Sequence, residues 1–252
     1  MQDEFIDDFA DIAPDYDEMF PRDLAEDSRM LEPFFEKHGV RTVLDCACGT
    51  GIHLAMLAGQ GYEVTGADAS EPMLEQARKK LAARDIGVPL YNSRWSELPR
   101  VVPGRFNAVI CIGNSLPLAG SSDDVQDALA GMYEMVAPGG VLVVQNRNFD
   151  KMDSERPGAI VNDSGDGGYV VFIFDYQGEI AVYKIFYLVT SETKGDVTYN
   201  EFPMNILTRR KFEKMLKAIG AGSFAFFGDS HHSRFSPMRS PRMIVGVDKP
   251  SD

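Results

Sequence analysis

The sequence predicts an α/β fold: a mostly parallel sheet of seven strands, an antiparallel β insertion and an N-terminal helical lid. Three observations carry this reading. Short apolar runs alternate with helix-period segments from Val40 to Gln145, the pattern of strands covered by helices on both faces. A glycine-rich turn, Cys46-Ala47-Cys48-Gly49-Thr50-Gly51, joins the first such run to the helix after it. Beyond Asn146 the helical pattern stops, and apolar runs follow one another across Asp-Gly and Gly-Asp turn signals.

Taken in order, residues 3–20 space Phe5, Ile6, Phe9, Ile12, Tyr16, Met19 and Phe20 mostly three and four apart among carboxylates, with Pro14 interrupting. This predicts an amphipathic helical arm that covers something. A helix is predicted over Asp27 to His38, a strand over Val40 to Asp45, and a helix over Ile52 to Gln60. There follow a strand over Glu63 to Asp68, a helix from Pro72 to Arg84 with proline in its first turn, and a strand over Val88 to Asn92. Phe106 to Ile112 reads as a buried strand, Asp123 to Val136 as a helix, Pro138-Gly139-Gly140 as a turn, and Val141 to Gln145 as a further buried strand. Tyr169 to Phe174, Ile180 to Val189 and Val197 to Asn205 read as an antiparallel meander. A helix over Thr208 to Ile219, capped by Thr208, precedes two last strands, Phe224 to Phe227 and Met243 to Val247. The chain therefore divides into a lid (1–36), a core (37–147), the insertion (148–205) and a C-terminal segment that completes the core (206–252).

Charge is unevenly placed. The 252 residues carry a formal net charge of −13, and residues 1–36 hold 13 acids against Arg22 and Arg29 alone. An acidic chain lacks the cations that displace counterions from phosphate backbones, so no nucleic-acid partner is expected. The start has no basic segment before an apolar run and no stretch is long enough to span a membrane, which reads as soluble, cytoplasmic, and without a membrane partner. Cys46, Cys48 and Cys111 are odd in number and fit a reducing compartment. Cys46-x-Cys48 lacks companion ligands at metal spacing, so no metal is assigned. Residues 230–247 contain Arg234, Arg239 and Arg242 and no acid, which suggests an acidic arm and a basic loop closing on one another over a site.

The glycine turn places backbone N–H groups at a helix start, where anionic groups bind. Leu54 stands where a dinucleotide fingerprint needs its third glycine, and Thr50-Gly51-Ile52-His53 lacks the Gly-Lys-Ser/Thr of a phosphate loop. Asp68 ends the next strand 17 residues beyond Gly51, where a carboxylate accepts ribose hydroxyls.

Asp45 to Gly51, then Gly66-Ala67-Asp68-Ala69-Ser70 with Met73-Leu74, and Pro138-Gly139-Gly140 before an apolar strand, together resemble the class I S-adenosylmethionine-dependent methyltransferases. The resemblance implies their Rossmann-like fold and S-adenosyl-L-methionine as cofactor, with S-adenosyl-L-homocysteine as product. More narrowly, Cys111-Ile112-Gly113-Asn114-Ser115, Arg147-Asn148-Phe149-Asp150 and Phe227-Gly228-Asp229 resemble the glycine and glycine/sarcosine N-methyltransferases. That resemblance implies a cofactor set of Tyr16, Arg29, Ala47, Gly49, Gly51, Asp68, Ala69, Met73, Arg94, Trp95 and Ile112. Arg94-Trp95 would lie along the adenine. It implies that Asn114 and Arg147 reach an amino-acid substrate, the arginine through the substrate carboxylate; Tyr16 would place its ring or hydroxyl near the sulfonium. Arg239 falls near a tyrosine of the family's substrate loop, and Leu118 replaces its histidine after the Asn-Ser pair.

An arginine fork is a good partner for a carboxylate, although a surface pair with Asp150 or Asp153 explains Arg147 as well. Trp95 reads equally as core. Methyl transfer from a sulfonium needs mainly positioning of the nucleophile. No residue stands out as a base: His231 and His232 have a suitable intrinsic pKa but lie in an arginine-rich loop. The reading is a small-molecule N-methyltransferase of glycine/sarcosine type. An O- or C-methyltransferase of a larger metabolite and a cofactor-binding sensor without turnover are the alternatives. A homo-oligomer stays open, with the β insertion as its contact or as a pocket wall.

Overall fold

A computed structural model describes residues 9–163, 168–190 and 195–251. Its elements run α1 (Tyr16–Met19), α2 (Leu24–His38), β1 (Thr42–Asp45), α3 (Ile52–Gly59), β2 (Glu63–Asp68), α4 (Glu71–Ala82), β3 (Leu90–Asn92), α5 (Leu98–Val101), β4 (Phe106–Cys111), α6 (Ser122–Met135) and β5 (Val136–Arg147). They continue as α7 (Phe149–Glu155), β6 (Ala159–Asp163), β7 (Gly168–Gln177), β8 (Ile180–Thr190), β9 (Gly195–Asn205), α8 (Arg209–Ala218), β10 (Ser223–Phe227) and β11 (Arg242–Asp248). Phe5, Ile6 and the Asp166-Gly167 turn signal lie outside the described residues.

The main sheet has seven strands in the order β10-β11-β5-β4-β1-β2-β3, and only β11 opposes the direction of its neighbours. Helix starts explain the register of the covering layer. Ser70 caps α4 by accepting from the Met73 N–H at 3.3 Å, and Ser121 with Asp124 forms a reciprocal capping box on α6. On one sheet face, Met30, Leu31 and Phe34 of α2 join Leu54 and Leu57 of α3 and Leu74 of α4 in a core with Val43, Ile110 and Val143. Helix α2 is thus a structural layer of the sheet. On the other face α6 and α8 pack with the inner side of the second sheet.

That second sheet is antiparallel, in the order β6-β7-β8-β9. Period-two alternation sorts its side chains. Phe172, Phe174, Tyr183, Ile185, Phe202 and Met204 are buried on the inner side, while Val161, Tyr169, Ile173, Val197 and Tyr199 are exposed.

Several elements depart from the sequence expectations. The arm is not a continuous helix: residues 9–15 form turns and α1 is one helical turn, as Pro14 and the preceding acids allow. The Pro138-Gly139-Gly140 turn lies inside β5 as an irregularity, where the pairing passes from Phe106↔Val136 to Ala108↔Val141. Gly140 is required there, because a Cβ would stand 2.5 Å from the Asn107 carbonyl oxygen. Strand β6 and helices α5 and α7 were not expected.

Candidate active site

The carboxyl ends of β1, β2 and β4 meet at one edge of the main sheet, where ligands sit in open α/β folds. After β1 the chain turns through Gly49 (φ +50°) and Gly51 (φ +79°), left-handed conformations that favour glycine. Asp68, ending β2, receives the Gly49 N–H at 2.8 Å on one oxygen and the Ser70 N–H at 2.9 Å on the other. The strand end thereby fixes the loop, and the two donors aim the carboxylate without exhausting its capacity of about four bonds. Asp45 is 1% exposed; one oxygen accepts from the Ala47 N–H at 3.3 Å, and the other is buried without a protein partner. Burial pushes its pKa up, against the pull of His53 and the Ala47 hydrogen bond.

At the end of β4, Gly113 (φ +89°) and Asn114 (φ +67°) turn sharply. The left-handed conformation is costly for most residues and tolerable for asparagine. It is held from β5: Gly113 N–H donates to the Gln145 Oε1 at 2.9 Å, and Asn114 N–H donates to the Gln145 carbonyl at 3.1 Å. In return, Asn114 Oδ1 accepts the Arg147 N–H at 2.9 Å and its Nδ2 approaches the Met204 sulfur at 3.4 Å. The Arg147 guanidinium lies 5.1 Å from the Phe172 ring centroid and 5.9 Å from that of Tyr183. No carboxylate among the described residues pairs with it. The surface-pair explanation fails on geometry, because Asp153 pairs with Arg156 at 3.0 Å and Asp150 accepts the Arg209 N–H at 2.7 Å.

Asn114, Arg147 and Tyr16 line one cavity of about 110 Å³. Phe9 and Phe20 of the arm close it on one side, Leu118 on another, and the inner face of the second sheet supplies Phe172, Tyr183, Ile185, Phe202 and Met204. Aromatic contacts seat the arm there, with Phe9 and Phe202 centroids 4.7 Å apart and Phe20 and Phe172 6.4 Å apart. Burial pushes the Tyr16 phenol up to about 12, the Arg22 charge opposing and Asp68 adding to the rise. Tyr16 thus stands between the glycine-loop side and the cavity. Asp17 fastens the arm from the other side: it accepts the Thr50 hydroxyl at 2.6 Å and pairs with Lys80 of α4, which also donates to Thr50 at 2.8 Å.

The sequence-predicted cofactor residues Ala47, Gly49, Gly51, Asp68, Ala69 and Ile112 gather at these strand ends. Met73 is buried in α4 beside them in sequence. Trp95 follows β3, half-buried against the core, and its indole N–H is buried without a protein partner. Arg94 is exposed, and its charge acts on Asp124 of α6.

Two expected residues are elsewhere. Arg29 is exposed on α2; the arginine turned inward is Arg22, which precedes the helix and lies over Gly113, 3.4 Å from where a Cβ would be. Arg239 is exposed in a turn that Asn148 holds by donating to the Pro237 and Ser240 carbonyls at 2.8 Å each, away from the cavity. The histidines do not reach it either. His231 is exposed, and His232 is wedged between Phe34 and Phe227, bonded to the Met30 carbonyl at 2.8 Å.

Of the loop's three arginines, Arg242 alone pairs with the acidic segment among the described residues, with Glu26 at 2.6 Å and 3.7 Å from Asp27. Asp27 is also held by Arg22 and His53 at 3.0 Å each. This is a strut between α2 and β11, and Arg234 and Arg239 stay exposed among the described residues. The residues that sequence reasoning missed are Arg22, Asp17, Thr50, Lys80 and the wall of the second sheet. For the wall, the alternation in β7 to β9 was the available signal.

Residues 43–140 match the family described as a methyltransferase domain. They form a methyltransferase domain. The glycine/sarcosine N-methyltransferase of Parasynechococcus marenigrum is 35% identical over 151 residues, which is 60% of this chain and 53% of that protein. The glycine N-methyltransferase of Rattus norvegicus is 41% identical over 138 residues, 50% of this chain and 47% of that one. The chain thus spans about half the length of the curated relatives it matches. A crystal structure of an S-adenosylmethionine-dependent methyltransferase from Clostridium acetobutylicum superposes with a TM-score of 0.81 at 18% identity, over 96% of this chain and 99% of that one. That likeness extends the fold of the methyltransferase domain to both sheets.

Proposed function

We propose that the protein is an N-methyltransferase that moves a methyl group from S-adenosylmethionine to the amine of a small carboxylate-bearing acceptor. One observation carries this reading: a guanidinium with no carboxylate partner among the described residues, Arg147, lines an aromatic cavity with Asn114 and Tyr16. The donor set suits the cofactor, since Asp68 is aimed by two backbone donors and Asp45 keeps one buried oxygen unpartnered. Asp68 would take the ribose hydroxyls, Arg22 the carboxylate of the methionine portion, and Trp95 a place beside the adenine. When bound, the cofactor supplies an electrophilic methyl group on a sulfonium.

The chain's own residues do the rest. Arg147 anchors the acceptor's acid end, Asn114 orients the amine, and Tyr16 with Phe9 and Phe20 excludes water. No His, Asp or Glu lines the cavity. The Tyr16 and Tyr183 phenols are protonated at neutral pH by their ordinary pKa of about 10, and burial raises both, further from acting as a base. A hydroxyl acceptor would need a general base there, whereas an amine needs only to arrive neutral, which favours nitrogen.

Replacing Arg147 by alanine tests the anchor. Hydrogen bonds to charged groups are worth about 1.5–3 kcal/mol, so KM for a carboxylate acceptor should rise roughly 10- to 100-fold with the cofactor Kd unchanged. Equal effects on both constants would remove the anchor, and absence of S-adenosylhomocysteine release with every amine, amino acid and hydroxylated acceptor would favour a binding protein without turnover.

We infer further that a second copy of the chain covers the outer face of the β6–β9 sheet. Cross-strand partners Val161, Val171, Phe186 and Tyr199 form one continuous row across all four strands, with Tyr169, Leu188 and Val197 in the next. With strands of 10 and 11 residues, the face measures on the order of 600 Å². That approaches the roughly 800 Å² per partner of a standard interface. The three free, buried cysteines support a reducing compartment, and no helix among the described residues is long and apolar enough to cross a membrane.

A further inference from the structure

The cavity beside Arg147 has a shape and chemistry that the smallest amino acids do not use. Its volume, about 110 Å³, has room for more than a single water. Apart from Asn114, Ser115, the guanidinium and two phenols, its lining is carbon: Leu118 on the β4 side and Phe172, Ile185, Phe202 and Met204 on the insertion side. A glycine held by Arg147 and Asn114 would leave unfilled the part of the cavity against Leu118, Phe172, Ile185 and Phe202, whose side chains give a water no polar partner. The glycine loop contributes no residue to this lining, so the space belongs to the acceptor.

Charge narrows the class. Arg147 is the one ionised group among the lining residues, and no carboxylate among the described residues pairs with it. An acceptor with a second ammonium would bury that charge without a counter-ion. An amine without a carboxylate would leave the guanidinium without its partner.

We propose that the acceptor is a free monocarboxylate amino acid with an apolar or aromatic side chain, packed against the inner face of the second sheet. The proposal rests on the N-methyltransferase reading above and adds the substrate class to it. The neutral amine forms the N–CH₃ bond as the C–S bond breaks. The electron pair of that bond stays on sulfur, leaving a thioether; the proton released is the one the acceptor's ammonium gives to water before attack, and the product leaves as a methylammonium. The insertion is therefore the specificity element: β7, β8 and β9 read the side chain, while the ends of β4 and β5 hold the amino acid's common part.

The test is release of S-adenosylhomocysteine by the full chain with glycine, sarcosine, leucine, phenylalanine, lysine and phenethylamine. One methylene in an apolar pocket is worth about 10-fold or more in kcat/KM, so leucine or phenylalanine should exceed glycine by at least that factor. Lysine and phenethylamine should fall below them, and 3-phenylpropionate, which lacks the amine, should inhibit competitively against the amino acid. Glycine or sarcosine equal to or better than leucine and phenylalanine overturns the substrate class and leaves N-methylation standing. Turnover confined to hydroxylated acceptors overturns both, as does turnover with none of the amino acids. Ile185→Phe, checked for cofactor binding as a sign of folding, should lower the phenylalanine-to-glycine ratio at least 5-fold. An unchanged ratio would remove the wall from substrate choice.

Discussion

Asp27 is 2% exposed with Arg22, His53 and Arg242 around it. Burial opposes its charge, but the His53 hydrogen bond and the Arg22 charge prevail and hold the carboxyl below the usual carboxylate range. A depressed folded-state pKa contributes stability that is present above the unfolded value of about 4 and is lost as pH falls through the folded value. Asp27→Asn should therefore destabilise the fold by about 3 kcal/mol at neutral pH, and the difference from the parent should shrink in urea melts taken below about pH 4. A constant difference across that range would assign the loss to packing. At this scale the sequence was legible where a residue ends a strand, as with Asp68, Ile112, Asn114 and Arg147. It was not legible for Arg29 and Arg22, which are both in the acidic segment. Helix α2 begins only at Leu24, after Pro21 and the Asp23 cap, so Arg22 folds back over Gly113 while Arg29 stays on the solvent side. The position of a helix's first turn decided between them, and single-sequence patterns fix such boundaries least well.

Among elements, the arm couples the two halves of the site. Its aromatic residues close the cavity and its Asp17 grips Thr50 of the glycine loop and Lys80 of α4. Asp17→Asn removes a partly exposed ion pair worth about 1 kcal/mol, so the cofactor Kd should rise roughly fivefold by calorimetry. Deleting residues 1–20 should abolish turnover and leave a folded domain, because α2 and the sheet core remain; unchanged kinetics in the deletion would show that the arm is not a cover. The arm's apolar spacing was readable, but its shape was not, since three- and four-residue spacings are met equally by turns packed onto a wall. Strand β6 escaped notice because Ala159–Asp163 is a short, largely exposed edge with no alternation to detect. The irregular start of β5 escaped because Pro-Gly-Gly signals a turn and a bulge alike.

At the scale of the whole molecule, five of the six large exposed hydrophobic side chains among the described residues lie on the second sheet, all but Met238. Light scattering should give twice the 27.9 kDa of the chain, and Ile173→Glu, on the outer face, should return the single mass with the inner wall intact. A monomeric parent at micromolar concentration would leave that face without a second copy. The alternation of covered and uncovered strands, readable from residue 40 onward, gave this architecture its outline, whereas the partner of an outer face has no periodicity to announce it.

The grip of Asp17 has a kinetic corollary. One segment stands over both the glycine loop and the cavity, so under the proposed activity neither product would leave while it is closed and both would share a single exit. Such an enzyme would turn over no faster than its arm lifts. Acceptors of different intrinsic nucleophilicity would then converge on a common maximal rate, with their differences surviving only in the first encounter.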